Sequence, residues 1–237
     1  LISPAIYWRA DAHRVPVVQT LHNFRLICPQ ALMLRHDRPC EDCVGHVPWR
    51  GVVHGCYRSS RAQTFVLAAM LSGHRAVGTW HRRITRYIAL NAFCRDRFIA
   101  GGLPASRISI KPNFVDISCP PPRARKGFLF VGRLSQEKGL SVLAQSLQPG
   151  DLGEAVSVIG EGPQGQMLTE LPGARLLGAL PSNRVYDEMA SARALVLPSI
   201  WYENFPRTLV EAFACGLPVI ASRLGANAVI GKTLADL

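Results

Sequence analysis

The sequence predicts an α/β protein built on parallel β-sheets. Two observations support this fold class: short, continuous runs rich in β-branched residues, which are typical of strands buried on both faces, and helical patterns that separate these runs. The predicted strands, in chain order, are VPVVQTL (15–21), RYIALN (86–91), RISIKPN (107–113), GFLFVG (127–132), AVSVIG (155–160), ARLLG (174–178), ALVLP (194–198) and PVIAS (218–222). The predicted helices are 61–75, 94–101, 139–147, 182–192 and 206–215.

The segment 112–127 divides the chain into two predicted domains. It reads PNFVDISCPPPRARKG, and its four prolines and basic cluster interrupt the alternation, as a linker does. Residues 1–115 carry 16 Lys and Arg against 5 Asp and Glu, whereas residues 116–237 carry 11 of each sign. We therefore predict one α/β domain over 1–115 and another over 116–237. The basic first half suits nucleic acid, an anionic membrane face or a phosphorylated ligand, but an arginine-rich solvated surface is equally open.

Composition argues for a globular chain that does not span a membrane. The longest charge-free apolar stretch, 62–73, is far shorter than the roughly 20 residues that cross a bilayer. No basic-then-apolar leader precedes Leu1, so the sequence predicts no export. Seven cysteines, with Cys94, Cys119 and Cys215 scattered among apolar residues, then favour a reducing compartment.

Two glutamates flank the predicted helix 206–215. Pro206 suits the first position of this helix and Gly216 suits its exit. Glu203 falls in the preceding loop, and Glu211 lies about one and a half turns into the helix, whose amino end attracts anions. In doubly wound sheets such loops hold the ligand. On spacing alone, however, one capping and one solvent-facing glutamate explain the pattern better.

Two further strand-end loops carry glycines and cations. The strand 127–132 ends in Gly132 and is followed by Arg133 and Lys138, while VIGEGP (158–163) contains Gly162. Glycine allows close backbone approach, and a guanidinium with an ammonium can neutralise a diphosphate. Each loop could be a solvated turn, but their joint use of Gly, Arg, Lys and Glu favours a nucleotide-phosphate site.

These motifs resemble a known family. The combination of GRLSQEKG, VIGEGP, LVLPS and ENFPRTLVEAFACGLPVIAS is similar to the carboxyl-terminal domain of the GT-B glycosyltransferases of family 4, the retaining group 1 transferases. The stretches LHNFRLICP, NAFCRDRFIAGGLP and IKPNFVD resemble the second half of their amino-terminal domain. The resemblance covers nearly all of residues 15–225 and implies a GT-B fold with two Rossmann-like, doubly wound domains. Family members are longer, so it also implies that both domains are incomplete in this sequence.

The resemblance assigns roles to residues of the two glutamate and cation motifs. It places Glu203 beside the donor sugar hydroxyls, Glu211 on the ribose hydroxyls, and Arg133 with Lys138 on the diphosphate. Backbone N–H groups around Asn204 and Phe205 complete the phosphate cradle. Pro206 replaces a commoner glycine and has no N–H to offer.

The resemblance also implies a histidine near the donor sugar and a metal-free reaction. His22, after the first predicted strand, matches that histidine, although a satisfied loop histidine is the plainer explanation. The implied reaction moves a hexose with retention from a UDP- or GDP-linked donor to a glycan or lipid-linked acceptor, in surface polysaccharide assembly. Cations stabilise the departing diphosphate, so no metal cofactor is required for catalysis. The sequence contains no Asp-x-Asp pair.

Four cysteines fall within the polar segment 23–58. Cys28, Cys40, Cys43 and Cys56 are separated by 11, 2 and 12 residues, a pattern that can close a tetrahedral zinc site, with His36, His46 and His54 as substitutes. Four reduced cysteines without metal explain the pattern equally well, so a structural zinc ion and no metal both stay open.

Residues 74–86 form a basic stretch that could contact a membrane. Residues 74–86 mix Trp80 and Ile84 with arginines and histidines, which suits either anionic lipid or a solvated helix face. With the resemblance this predicts a cytoplasmic enzyme at the inner face of a membrane. The alternatives are a zinc-stapled module that binds nucleic acid, for which no recognition helix is visible, and an inactive nucleotide-binding fragment.

Overall fold

The computed structural model describes residues 3–121, 123–147, 155–169, 171 and 173–235. The chain forms two compact units, one made of Leu1–Pro112 with Val229–Leu237 and the other of Asn113–Ala228. The boundary therefore falls at the start of the proline-rich segment 112–127, and a second one falls inside the last helix.

The first unit combines a small parallel sheet with helices and a hairpin. Its strands are β1 (Val18–Thr20), β2 (Leu34–Arg35), β3 (Arg38–Pro39), β4 (Arg86–Ala89) and β5 (Ile108–Ile110). Its helices are α1 (Ala5–Ala12), α2 (Trp49–Val53), α3 (Arg61–Ala76), α4 (Thr79–Arg82) and α5 (Ala92–Ala100), and a 3₁₀ turn covers Ala105–Arg107.

The three longer strands of this unit form a parallel sheet in the order β1-β4-β5, and β2 pairs with β3 in an antiparallel hairpin. Tyr87 of β4 is fully buried, and its hydroxyl donates to the carbonyl oxygen of Trp80 at 2.8 Å. The Asn91 side chain caps α5 by accepting from the N–H of Cys94 at 2.8 Å. The central strand is thus fixed by packing and the helix after it by its cap.

The second unit is a five-stranded sheet with helices between its strands. The strands are β6 (Phe128–Val131), β7 (Val156–Ile159), β8 (Ala174–Gly178), β9 (Ala194–Leu197) and β10 (Val219–Ala221). The helices are α6 (Leu140–Ser146), α7 (Gln166–Thr169), α8 (Ser182–Ser191) and α9 (Arg207–Ala214), and a 3₁₀ turn covers Gln136–Lys138. The last helix, α10 (Gly225–Ala235), begins in this unit and crosses the second boundary.

All pairs in this sheet are parallel, in the order β10-β9-β6-β7-β8. Leu129 and Phe130 of β6 and Val156 and Val158 of β7 are at most 1% exposed, so the central strands are covered on both faces. Because parallel strands end at the same edge, the loops after β6, β7 and β9 are neighbours.

The predicted α/β class is confirmed, and each of the eight predicted strands and five predicted helices overlaps an element of its own type. The structure also contains α1, α2, α4, α7, α10 and the β2–β3 hairpin, which were not predicted from the sequence. Most of these are too short for periodicity to show. One predicted boundary shifts: Pro206 lies just before the helix, which begins at Arg207, and serves as its amino-terminal cap residue.

Two expectations about particular residues need correction. Cys119 and Cys215, predicted as scattered reduced cysteines, form a disulfide that joins the segment 112–127 to the residue after α9. Trp80 and Ile84, predicted as the apolar side of a basic amphipathic surface, are only 3% and 0% exposed. They belong to the core of the first unit, so the stretch 74–86 offers no apolar face through these two side chains.

Candidate functional site

The candidate site lies at the carboxyl-terminal edge of the second unit's sheet, where backbone hydrogen bonds join three loops. The N–H of Leu134, after β6, donates to the carbonyl of Glu161, after β7, at 2.8 Å. The N–H of Ile200, after β9, donates to the carbonyl of Glu137, after β6, at 3.1 Å. The three loops that carry the predicted binding residues therefore form one continuous surface.

Lys138 and Glu203 meet across two of these loops. The Lys138 Nζ donates to Glu203 Oε1 at 2.7 Å, and the Ser199 hydroxyl donates to the same oxygen at 2.7 Å. The Glu203 side chain is 6% exposed and that of Lys138 is 24% exposed. The ammonium also lies 5.7 Å from the ring centre of Trp201, within the range of a cation–π contact. A nearly buried carboxylate is thus held in one orientation by a charge and a hydroxyl.

Arg133 is anchored by a second buried carboxylate. Its Nη2 donates to Glu137 Oε1, and its Nε donates to the Ser135 hydroxyl at 3.1 Å, which in turn donates to Glu137 Oε1 at 2.8 Å. Burial raises the pKa of Glu137, but the Ser135 hydroxyl, its own backbone and Arg133 together hold it below the ordinary value. The Arg133 side chain remains 66% exposed, so its guanidinium keeps donors that can reach a ligand.

The loop and helix after β9 position the remaining predicted residues. Glu211 is buried at 9% exposure, and its Oε1 lies 2.9 Å from Arg207 Nε in an ion pair. Asn204 is also buried, and the carbonyl of Phe205 accepts from the Asn113 side chain at 3.1 Å. The donor from Asn113 fixes the loop just before α9, so the amino end of this helix is held at the site's edge.

Glycines let the three loops approach one another. A Cβ on Gly139 would lie 1.9 Å from the carbonyl oxygen of Pro198, and one on Gly162 would lie 2.3 Å from that of Leu134. A Cβ on Gly160 would lie 1.9 Å from the Gly132 oxygen, whereas a Cβ on Gly132 would make only ordinary contact with the Phe130 ring. The close approach predicted for Gly132 therefore depends on Gly160.

Four polar or aromatic members of the site were not predicted from the sequence: Ser135, Glu137, Ser199 and Trp201. Each lies within a quoted motif or next to one, and a signal was present for Glu137, which precedes Lys138 in GRLSQEKG. In a charged stretch of this kind a glutamate is usually expected to face solvent. In the structure, however, Glu137 is only 7% exposed.

His22 lies in the first unit, two residues beyond the last residue of β1. Its side chain is exposed and lines a cavity of about 520 Å³ together with Tyr7, Gln19 and Arg25. This places His22 at the carboxyl end of a parallel strand, as the sequence predicts. Its approach to a donor sugar stays a prediction.

The four cysteines of the segment 23–58 are brought together in the first unit. Cys28, Cys40, Cys43 and Cys56 are unbonded and line one cavity, and His36, His46 and His54 do not line it. Among the described residues, no group of three or more His, Cys, Asp or Glu side chains is arranged so that it could hold a metal ion. The prediction that these four cysteines bind a zinc ion therefore stays open.

A family model described as glycosyl transferases group 1 matches residues 125–235. This stretch contains the whole Lys138–Glu203 arrangement and all five strands of the second unit. Over these residues the chain is similar to the group 1 glycosyl transferases.

Curated proteins similar to this chain carry the names of sugar-transferring enzymes. A phosphatidyl-myo-inositol mannosyltransferase of Mycobacterium leprae is 34% identical over 164 residues, which cover 62% of this chain and 43% of the relative. A lipopolysaccharide 1,6-galactosyltransferase of Salmonella typhimurium is 30% identical over 154 residues, covering 57% and 42%. The chain thus spans less than half the length of these two relatives.

Solved glycosyltransferases share the fold. HepE of Anabaena in complex with UDP superposes with a TM-score of 0.64 at 19% identity, covering 94% of this chain and 57% of that protein. A sucrose-phosphate synthase of Thermosynechococcus elongatus gives 0.63 at 17% identity, covering 94% and 55%. These neighbours have the GT-B fold, so the predicted GT-B type is confirmed.

Proposed function

We propose that this chain is part of an enzyme that moves a hexose from a nucleotide sugar to a glycan or lipid-linked acceptor with retention of configuration. The observation that carries the proposal is the Lys138–Glu203 pair with Ser199, at the carboxyl ends of parallel strands in a domain similar to the group 1 glycosyl transferases. The family match supports this function over the nucleic-acid-binding module.

The cations suit the diphosphate of such a donor. An ammonium has three N–H donors, and the Glu203 bond uses one of those of Lys138; a guanidinium has five, and Arg133 directs one to Glu137 and one to Ser135. The donors that remain can bind phosphate oxygens without breaking these ion pairs. As the bond to the sugar breaks, negative charge grows on the diphosphate, and fixed cations stabilise it. We therefore propose that catalysis needs no metal cofactor.

Glu203 and Glu211 suit hydroxyl recognition. Both bonds that orient Glu203 end on Oε1, so its Oε2 can accept from a sugar hydroxyl. Glu211, fixed by Arg207 near the amino end of α9, is proposed to accept from the ribose. The relatives and neighbours support a nucleotide-sugar donor: the Anabaena protein HepE was solved with UDP and with UDP-glucose.

Acceptor class and location are further parts of the proposal. The names of the mannosyltransferase and galactosyltransferase relatives support a lipid-linked or surface-glycan acceptor. A location at the cytoplasmic face of a membrane is proposed together with this acceptor. No helix in the described ranges is long and apolar enough to cross a bilayer. Peripheral contact would use exposed apolar side chains other than Trp80 and Ile84, such as Trp49 on α2 and Phe65 on α3.

A thermal-shift titration with UDP, GDP, ADP and their sugar conjugates tests the donor site. At about 100 times its dissociation constant, the true ligand stabilises the fold by about 2.7 kcal/mol. We expect one nucleotide to raise the melting temperature, and Arg133→Gln and Glu211→Gln to remove the rise.

Matched controls lie outside the site. Arg175→Gln changes an arginine that is 61% exposed, close to the 66% of Arg133, and Glu188→Gln changes its ion-pair partner. Both should keep the full shift. A folded wild-type chain that responds to no nucleotide, or equal losses in Arg133→Gln and Arg175→Gln, would contradict the proposal.

A further inference from the structure

Four cysteines of the first unit surround one small cavity. The β2–β3 hairpin lies between Cys28 and Cys40, and α2 lies between Cys43 and Cys56, so the chain returns twice to the same place. All four cysteines line a cavity of about 20 Å³. This volume is close to that needed by one water molecule and excludes any larger ligand.

We propose that Cys28, Cys40, Cys43 and Cys56 bind a single zinc ion that fixes the segment 23–58. Four thiolates form the usual tetrahedral set of a closed, structural zinc site. The other lining residues include the apolar Ile27, Met33 and Leu34 as well as Gln30, Arg35 and Asp42. Four sulfurs suit a soft cation. The site is distinct from the donor site, which lies in the other unit.

The segment 23–58 contains little regular secondary structure. It contains the two-residue strands β2 and β3 and the five-residue helix α2. Ala31, Met33, His36 and Asp37 have φ between +50° and +70°, a conformation that is unfavourable for residues other than glycine. A backbone of this kind persists when surrounding contacts fix it, and a tetrahedral metal centre does so from four points.

Backbone groups surround two of the sulfurs. Hydrogen bonds from the backbone at Gln30, Ala31 and Met33 reach Cys28, and one from Gly51 reaches Cys43. Outer donors of this kind orient metal ligands. A divalent cation would offset the cost of burying sulfurs in ionised form.

The side chains stand short of a coordinating arrangement, because no three described His, Cys, Asp or Glu side chains are placed to hold a metal ion. Rotation about the Cα–Cβ bonds moves the sulfurs without moving the chain. Zinc binding therefore requires the four cysteines to adopt new rotamers around the existing cavity, while the backbone stays unchanged.

Metal analysis of the full chain tests the site. The chain is purified under reducing conditions without chelators, its metal content is measured by mass spectrometry, and zinc is exchanged for Co²⁺ to record the absorption spectrum. We expect one zinc per chain and the charge-transfer and d–d bands of tetrahedral thiolate–cobalt. Cys40→Ser should reduce zinc affinity by more than the about 10–100-fold typical of a lost outer-shell partner. Cys40→His, which keeps a ligand, should retain more zinc than Cys40→Ser.

The control is Cys94→Ala, which changes a buried cysteine outside the cluster and should keep one zinc. A reduced wild-type chain that holds no zinc and gives no thiolate–cobalt bands would overturn the proposal, as would a Cys40→Ser chain with unchanged zinc. Disulfides among the four cysteines in the native chain, detected by alkylation and mass analysis, would overturn it too. If Cys40→Ser fails to fold, the wild-type metal content and cobalt spectrum decide.

Discussion

Glu137, Glu203 and Glu211 are buried carboxylates, and each is paired with one cation. Burying an unpaired charge is costly, so each cation compensates for its carboxylate. The cations are more exposed than the carboxylates that they neutralise. The Arg133 side chain, for example, is 66% exposed, whereas that of Glu137 is 9% exposed. Each pair therefore has a fixed, protected acceptor and a donor that faces the solvent, which is what recognition of an anionic ligand needs.

Removing Lys138 should leave the buried Glu203 carboxylate without a neutralising charge and lower the stability of the protein. In Lys138→Met, Glu203 keeps only the Ser199 hydroxyl, and we expect the free energy of unfolding to fall by about 2 kcal/mol. In the double variant Lys138→Met/Glu203→Gln the charge is gone, and stability should return to within about 1 kcal/mol of the wild type. Urea unfolding followed by tryptophan fluorescence measures both.

The exposed pair Arg175–Glu188 is the control, with side chains 61% and 27% exposed. Arg175→Met should change stability by about 0–1 kcal/mol, as exposed ion pairs do. Should Lys138→Met prove no worse than Arg175→Met, or the double variant as unstable as the single one, Glu203 is not a buried charge that depends on Lys138.

The roles of single residues were predictable only in part. Charge type and position after a strand identified Lys138, Glu203 and Glu211 as neighbours of one edge, because parallel strands end together. The Lys138–Glu203 pair was not predictable, since its two residues are 65 positions apart. The burial of Glu137 was missed for another reason: its partner Arg133 is four residues away, but a charged stretch gives no signal of burial.

The loops after β6, β7 and β9 act as one unit because their backbones touch. Strands and helices were predictable from hydrophobic runs, since these are local patterns. The contacts between loops were not, because a glycine in a turn and a glycine that meets another backbone look alike in sequence. Gly139 with φ +73° beside Pro198 is such a contact, whereas Gly178 has φ +68° and no atom within 4 Å of the position that a Cβ would take.

Alanine substitutions at Gly139 and Gly178 distinguish the energetic cost of a steric clash from that of backbone strain, because both glycines have positive φ but only Gly139 has a close neighbour. Gly178→Ala should cost about 1–2 kcal/mol, the penalty of a left-handed conformation for a residue with Cβ. Gly139→Ala meets the same penalty and also the Pro198 carbonyl, and we expect it to cost about 1–3 kcal/mol more. Thermal unfolding of the two variants beside wild type measures the difference. Equal losses would show that the two loops do not touch at Gly139.

The division into two units agrees with a change of charge that is visible in the sequence, from a basic first half to a neutral second half. The proline-rich segment 112–127 contains the boundary between the two units. Composition did not predict that this segment is bonded to the residue after α9. The disulfide between Cys119 and Cys215 closes a loop of 96 residues within the second unit, and pairing over such a distance has no local signal. An odd number of cysteines pointed to reduced thiols instead.

The disulfide should stabilise the second unit mainly by restricting its unfolded chain. We expect Cys119→Ser to lower the free energy of unfolding by about 2–4 kcal/mol, because the bond closes a long loop. Cys215→Ser and the double variant should lose the same amount and no more, since one bond is lost in all three. Tris(2-carboxyethyl)phosphine should lower the wild-type melting temperature to that of the variants and leave the variants unchanged. Alkylation of the native chain that labels both cysteines, or additive losses in the double variant, would show that the sulfurs are not bonded and would restore the expectation of a fully reduced chain.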